Sequence, residues 1–275
     1  MSALSRLCDF RLFARIEIVT ASTCSDPSVR VTFPRMALTH IEKLIAKAIQ
    51  DYSMLAEGDR ILIGASGGKD STTLAWALSR RRRWAAPRFE IMALRIVGDV
   101  PGGGMDTAAA DRLTAMYGEW EIPYQTINVP IIGRLKFGEK MNCYWCSTQR
   151  RTELIHYALE NGCNKIALGH HLDDILATLL MNMTKKGEIA TMPPRLKYQK
   201  YPLEVIRPLA LVEEQSIRGF AREQGWLATT CSCQFGADGE RKEYQRRLNV
   251  LCGDSESSKR NLYRSMANIK TGYLA

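Results

Sequence analysis

Short apolar runs alternate with longer amphipathic stretches along most of this chain. "RILIGAS" (Arg60–Ser66) is one charge followed by a continuous apolar run, which reads as a buried strand. A helical pattern follows over 70–83. "RFEIMALRIV" (Arg88–Val97) reads as a second strand, Asp106–Trp120 as a helix, and "PYQTINVP" (Pro123–Pro130) alternates like a third strand. A helix from about Thr148 to Asn161 leads into a fourth strand, "NKIALGHH" (Asn164–His171). Asp173–Met183 is helical, "LEVIRPLA" (Leu203–Ala210) is a fifth strand, and Val212–Gln224 is helical again. Ahead of all this, "ALTHIEKLIAKAIQDYSML" after Met36 has amphipathic helical spacing. Beyond Arg241 the chain turns polar and basic, with helical stretches near Lys242–Leu251 and Ser255–Ile269.

Strands alternating with helices predict an α/β fold, a doubly wound parallel sheet of Rossmann-like type, with a basic helical C-terminal tail. In such sheets ligands sit beyond the carboxyl ends of the strands. Three landmarks fall at that edge: the "SGGKDS" turn (Ser66–Ser71), the loop after the third strand, and "GHHLDD" (Gly169–Asp174) after the fourth. We divide the chain into an N-terminal extension (1–35), a nucleotide-binding domain (36–230) and a cysteine-bearing basic segment (231–275). Met36 is a candidate functional start, and a transit peptide is the alternative reading of what precedes it.

Composition narrows the class. The 275 residues are 45% hydrophobic, enough for one large domain with appendages. No run approaches the roughly 18 apolar residues of a membrane span, so a cytoplasmic protein without a membrane partner is expected. Thirty-eight basic against 29 acidic residues give a formal charge of +9, which suits a polyanion such as RNA. Candidate phosphate contacts are Arg80–Arg83, Arg150 and Arg151, and the tail cluster Arg241, Lys242, Arg246 and Arg247. Tyr144 and Trp145 are candidates for stacking on a base or for shielding a neighbouring centre. "KKGEIATMPPRLKYQK" (Lys185–Lys200) reads as a mobile basic loop.

The turn carries the first chemistry. Gly67 and Gly68 let backbone N–H groups approach a phosphate, and the following helix points its N-terminus at the same spot. Ser66 and Ser71 offer hydroxyls and Lys69 a positive charge. The spacing is not that of a Walker A loop, because Lys69 precedes Asp70 rather than a Ser or Thr. The hexapeptide resembles the PP-loop of the ATP pyrophosphatases, which split ATP between its α- and β-phosphates. The resemblance implies that the turn holds pyrophosphate and that Asp70 faces Mg²⁺.

"GHHLDD" opens the next helix. Acids are favoured at a helix start in any protein, but here Asp173, Asp174, His170 and His171 emerge opposite the turn. The motif resembles the second signature of PP-loop tRNA-modifying enzymes. On that reading Asp173 or Asp174 serves Mg²⁺ or substrate, and His170 or His171 lines the nucleotide pocket.

Eight cysteines are present, four of them in two tight pairs: Cys143/Cys146 and Cys231/Cys233. With no export signal, metal or redox chemistry is favoured over structural disulfides. Four thiolates suit zinc, two a redox disulfide, and three an iron–sulfur cluster with one iron open.

The order of PP-loop, C-x-x-C with a basic stretch, "IALGHHLDDILATLLMN", "MPPRL", "IRPLA" and a late cysteine resembles the tRNA 2-thiocytidine synthetase family over roughly residues 45–250. That family has an adenine-nucleotide α-hydrolase fold and uses ATP, Mg²⁺ and a [4Fe–4S] cluster to replace the C2 oxygen of an anticodon-loop cytidine with sulfur. The resemblance implies catalytic roles for Lys69, Asp70 and Asp174, and nucleotide contacts from Ser66, Gly67, Gly68, Ser71, His170, His171 and Asp173. It makes Cys143, Cys146 and Cys231 the cluster ligands. Here the chain departs from the family, whose late pair is C-x-x-C; Cys231-Ser-Cys233 leaves Cys233 as the alternative third ligand. It also implies tRNA as partner and a sulfur donor such as a cysteine desulfurase, and allows a homodimer. A PP-loop ligase without sulfur transfer, a persulfide thiolase and a zinc-stapled nucleotide- or RNA-binding module are the competing readings.

Overall fold

A computed structural model describes residues 39–102, 104–226, 240–253 and 255–273. The N-terminal extension, Cys231 and Cys233 lie outside these described residues.

The elements run in chain order as α1 (His40–Asp51), β1 (Asp59–Gly64), α2 (Lys69–Trp84), β2 (Phe89–Gly98), α3 (Thr107–Glu119), β3 (Tyr124–Val129), α4 (Cys143–Glu160), β4 (Lys165–Ala167), α5 (Leu172–Lys186), β5 (Arg195–Lys197), β6 (Glu204–Ile206), α6 (Glu214–Glu223), α7 (Glu240–Cys252) and α8 (Glu256–Ser265). The strands form a single sheet of order β3-β2-β1-β4-β6-β5. All neighbours pair in parallel except β5, which runs antiparallel to β6 with Arg195 opposite Ile206. The expected doubly wound α/β architecture is thus present, with one antiparallel edge strand added.

The central strand explains its own sequence. Ile61, Leu62 and Ile63 are all fully buried, because β1 is covered on both faces and needs no polar alternation. Ile61 and Ile63 join one core with α1, α2 and α6, through Ile45, Leu74 and Ile217. Leu62 faces the opposite core, with Ile155 and Ala158 of α4 and Val205 of β6. A third core pairs α5 with α7 through Leu172, Leu176, Leu179, Leu248 and Cys252, and partly buried Leu262 and Tyr263 of α8 pack against it. This last cluster fastens the polar C-terminal helices to the helix that carries the acid pair.

Two local expectations change. The helix bearing the first cysteine pair starts at Cys143, not near Thr148, because the Asn142 side chain caps it by accepting from the Trp145 N–H at 2.8 Å. Both cysteines therefore lie in the first turn of α4 rather than in a loop ahead of it. The segment read as a basic loop contains β5, anchored by Arg195, which donates twice to Glu204 at 2.9 Å and once to the Ser53 carbonyl at 2.7 Å. No helix among the described residues is long and apolar enough to cross a membrane.

Candidate active site

β1 and β4 are hydrogen-bonded neighbours, so the turns leaving their carboxyl ends meet. Gly67 adopts φ +82°, a conformation that favours glycine. Ser66 Oγ accepts from the Gly68 N–H at 3.3 Å and lies 3.0 Å from Ser71 Oγ, which in turn donates to the Gly68 carbonyl at 3.0 Å. Gly68 is the N-cap of α2 and supplies no side-chain bond to the helix. The leading amides of α2 are left without a side-chain cap, as an anion site requires.

Gly169 brings the second motif onto this turn. A Cβ built there would stand 3.0 Å from the Ser71 nitrogen and 3.1 Å from the Asp70 carbonyl carbon. Close backbone approach thus demands glycine at a position the sequence reading did not single out; its only sequence signal is a lone glycine at a strand end.

Lys69 and Asp70 start α2. Lys69 Nζ donates to Asp70 Oδ2 at 3.2 Å and sits 3.1 Å from Glu214 Oε1 at the start of α6. Burial opposes its charge, but Asp70 and Glu214 outweigh that and raise the ammonium pKa above the usual lysine range. Asp70 Oδ1 is buried and has no hydrogen-bond partner among the described residues. Its charge is shared with the Lys69 ammonium, 3.2 Å from the same oxygen, and a carboxylate beside a phosphate turn is the donor type that Mg²⁺ takes.

The histidines and acids of the second motif form a dense array. The Asp174 carboxylate accepts from the His171 N–H at 3.2 Å and from Gln245 Nε2 of α7 at 3.2 Å, and lies 3.3 Å from Arg241 Nη2. Burial would raise Asp174, yet His171 and Arg241 hold its carboxyl below the usual range. Asp173 Oδ1 accepts from Lys259 Nζ of α8 at 2.6 Å, and its Oδ2 accepts from the Glu214 N–H at 2.7 Å. His171 is buried between the acids, with ring nitrogens 3.7 Å from Asp173, 3.5 Å from Asp174 and 3.9 Å from Asp70. Burial pushes His170 down to about 3, against Asp174 and helped by Arg207 and Arg241. His170 Nδ1 accepts from Arg207 Nε at 3.3 Å, which leaves Nε2–H as the donor of a neutral ring. Arg207 is itself buried, which lowers it to about 10.

Cys143 and Cys146 are three residues apart and share one face of α4. The Trp145 indole between them donates to the Ile131 carbonyl at 2.9 Å, pinning α4 to the end of β3. The other two described cysteines, Cys163 and Cys252, are buried, which raises their thiol pKa values and suits packing rather than ligation. Among the described residues no three His, Cys, Asp or Glu side chains group as a metal site; α4 carries two cysteines, and Cys231 and Cys233 lie outside the described residues.

The basic patches divide. Arg80–Arg83 lie in the last turns of α2, which carries them about 17–21 Å from the turn that starts it. There Arg80 pairs with Glu42 at 2.7 Å, and Arg83 with Glu121 at 3.1 Å. Arg241 instead reaches the acid pair. Two aromatics near the cysteine pair are open: Tyr144 is 80% exposed and Phe137, which the sequence reading passed over, is fully exposed.

A glycine turn capping an open helix, a lysine over it and a second acidic turn against it define a nucleotide-binding domain of the PP-loop class. Residues 37–229 match the PP-loop domain family, and the chain belongs to it. Within that class it belongs to the family of the tRNA-cytidine(32) 2-sulfurtransferases. It is 36% identical over 236 residues to the protein of that name from Geobacter metallireducens, covering 85% of this chain and 91% of the relative. It is 37% identical over 237 residues to the one from Syntrophotalea carbinolica, covering 85% and 90%. The fold is similar to that of the U34-tRNA thiolase NcsA from Methanococcus maripaludis with its [4Fe-4S] cluster (TM-score 0.68, 21% identity, 86% of this chain and 80% of that one).

Proposed function

We propose that this chain is an ATP-dependent tRNA sulfurtransferase that replaces the C2 oxygen of an anticodon-loop cytidine with sulfur. Membership of the tRNA-cytidine(32) 2-sulfurtransferase family supports the enzyme class and substrate. The observation that carries the reading on this chain is the meeting of "SGGKDS" and "GHHLDD" at the sheet edge from which the cysteine helix also starts.

In this reading Ser66, Gly67, Gly68, Lys69 and Ser71 hold the triphosphate. The cytidine C2 oxygen attacks the α-phosphorus and pyrophosphate leaves, so a poor leaving group becomes AMP. Sulfur then forms a bond to C2, the C2–O bond breaks, and AMP departs with its electron pair. Asp70, at the phosphate turn beside Lys69, is the acid we assign to Mg²⁺; Asp174 is the second candidate, and Asp173 is committed to Lys259 and the Glu214 amide. His170, held neutral, and His171 line the nucleotide side. A [4Fe–4S] cluster on Cys143, Cys146 and Cys231, or Cys233 in its place, supplies when bound an open iron position for sulfur. Phe137 and Tyr144 offer faces for unpaired bases of the loop. A cysteine desulfurase is the proposed sulfur source, 36–230 the ATP-binding domain, 231–275 the cysteine-bearing segment, and a homodimer the assembly.

Nucleoside mass spectrometry tests the reading. Transfer RNA from cells lacking the gene loses one 2-thiolated cytidine, and adding back the wild-type chain, but not Lys69→Ala, restores it. Unchanged thionucleosides would reject the function. Full ATP-dependent turnover by iron-free protein would instead favour a PP-loop ligase.

A further inference from the structure

We infer that Glu214 and Lys259 are positioning residues for the phosphate-binding Lys69, acting across three separate segments of the chain. The inference deepens the proposed function and rests on it for the role of Lys69.

The contacts form an unbroken line. Lys259 Nζ of α8 lies 2.6 Å from Asp173 Oδ1, both side chains buried. Asp173 Oδ2 accepts from the Glu214 N–H at 2.7 Å, which fixes the first residue of α6. Glu214 Oε1 lies 3.1 Å from Lys69 Nζ, and Arg218, one turn along α6, holds the same oxygen at 2.9 Å. Lys69 is thus gripped between Asp70 on its own helix and a carboxylate whose backbone is tied to α8.

Each link has a physical reason to be there. An ammonium buried at the position of Lys259 is tolerated only when paired, and Asp173 is that partner. Asp173 caps α6 from a distance, satisfying one of the amides that a helix start leaves open. The N-cap residue Glu213 does not bond to its helix through its side chain. Lys69 has a long, flexible stem, and its ammonium has no fixed position unless something outside α2 supplies one.

The test reads the position of Lys69 directly. The full chain, without nucleotide, is exposed to limiting acetic anhydride, and acetylation of Lys69 is measured by peptide mass spectrometry against exposed Lys47. In Glu214→Gln the Lys69-to-Lys47 ratio rises about threefold, the size expected for loss of a partly exposed ion pair. In Lys259→Met it rises at least about twofold. Should that variant fail to fold, Lys259→Gln, which keeps a donor but no charge, is read in its place with the same expectation. In tRNA thiolation, Glu214→Gln lowers kcat about tenfold without raising KM for ATP, because Lys69 is freed from a competing carboxylate yet loses its orientation.

An unchanged ratio in Glu214→Gln, or an unchanged kcat, overturns the role of Glu214. An unchanged ratio in the folded Lys259 variant overturns the reach of α8 to the phosphate turn. A wild-type chain that thiolates no tRNA rejects the proposed function, while the acetylation ratios still decide the position of Lys69.

Discussion

Adding a single methyl group at Gly169 separates site geometry from fold stability. The backbone of Gly169 lies outside the left-handed region, so Gly169→Ala introduces no dihedral strain. The new Cβ would meet the Ser71 nitrogen at 3.0 Å, the Asp70 carbonyl carbon at 3.1 Å and the Asp70 oxygen at 3.3 Å. Comfortable contacts between carbon atoms lie at about 3.5–4.0 Å, so the two turns must part by about half an ångström. No side chain can rotate out of the way, because all three neighbours are backbone in the first turn of α2. Overpacking of this kind costs about 1–3 kcal/mol, which leaves a domain of ordinary stability almost wholly folded at 25 °C. Activity is more sensitive: a misplacement of about 1 Å can cost a hundredfold, so half of that predicts about a tenfold loss. The assay is ATP-dependent thiolation of tRNA read by nucleoside mass spectrometry, with thermal unfolding alongside. Gly219→Ala in mid-α6 is the control, since its Cβ meets nothing within 4 Å. It should keep full turnover and gain about 2–4 °C in Tm. Turnover of Gly169→Ala within twofold of wild type would refute the close-approach argument.

Other outcomes follow from particular contacts. Lys165 Nζ is buried against Asp59 Oδ2 at 2.6 Å and the Met54 carbonyl at 3.0 Å; Lys165→Met strands the Asp59 charge and should cost about 3–5 kcal/mol in urea unfolding. Cys143→Ala and Cys146→Ala should each lose iron and thiolation, whereas Cys163→Ala and Cys252→Ala keep iron, as measured by iron content after anaerobic purification. The Arg195 hydrogen bond, helped by its charge and opposed by burial, holds the Glu204 carboxyl below the usual range. The stability this gives is complete above the unfolded glutamate value of about 4.3 and is lost as pH falls through the lower folded value. Urea midpoints measured across that window should slope for wild type and flatten for Glu204→Gln. Binding of tRNA should weaken steeply with added salt in a filter or fluorescence assay, as neutralised phosphates require.

What the sequence made legible was local. β1 announces itself because a strand covered on both faces is an unbroken apolar run, and α1, α2 and α5 because their apolar positions repeat with helical period. The phosphate turn is equally local: two glycines, a lysine and two serines between a strand and a helix. The start of α4 was missed because "CYWCSTQRR" has no apolar stripe, although Asn142 three residues ahead of the bonded Trp145 N–H was a readable cap. β5 was missed because its three residues are all exposed and its pairing comes wholly from β6. Glu214, Lys259 and Gln245 had no local signature at all, and Arg241 stood out only as one of a basic cluster. Each matters through a partner on another element, and nothing in a helical stripe records which residue faces a carboxylate 86 positions away, as Lys259 does.

The same contacts explain how adjacent carboxylates can be buried at one helix start. Asp173 and Asp174 sit in the first turn of α5, whose partial positive charge is worth at most about 2 kcal/mol and cannot by itself compensate two desolvated anions. Each acid has its own cation from the C-terminal helices, Lys259 for Asp173 and Arg241 for Asp174, and α7 and α8 share a hydrophobic core with α5. The pair is therefore built unequally. Asp173 is closed by a buried lysine and a backbone amide; Asp174 faces an arginine that is half exposed and free to exchange with solvent or an incoming polyanion. A sequence motif of two like residues thus resolves into one acid closed into the frame and one held by a partly exposed arginine, and the division is made by residues 67 and 86 positions downstream.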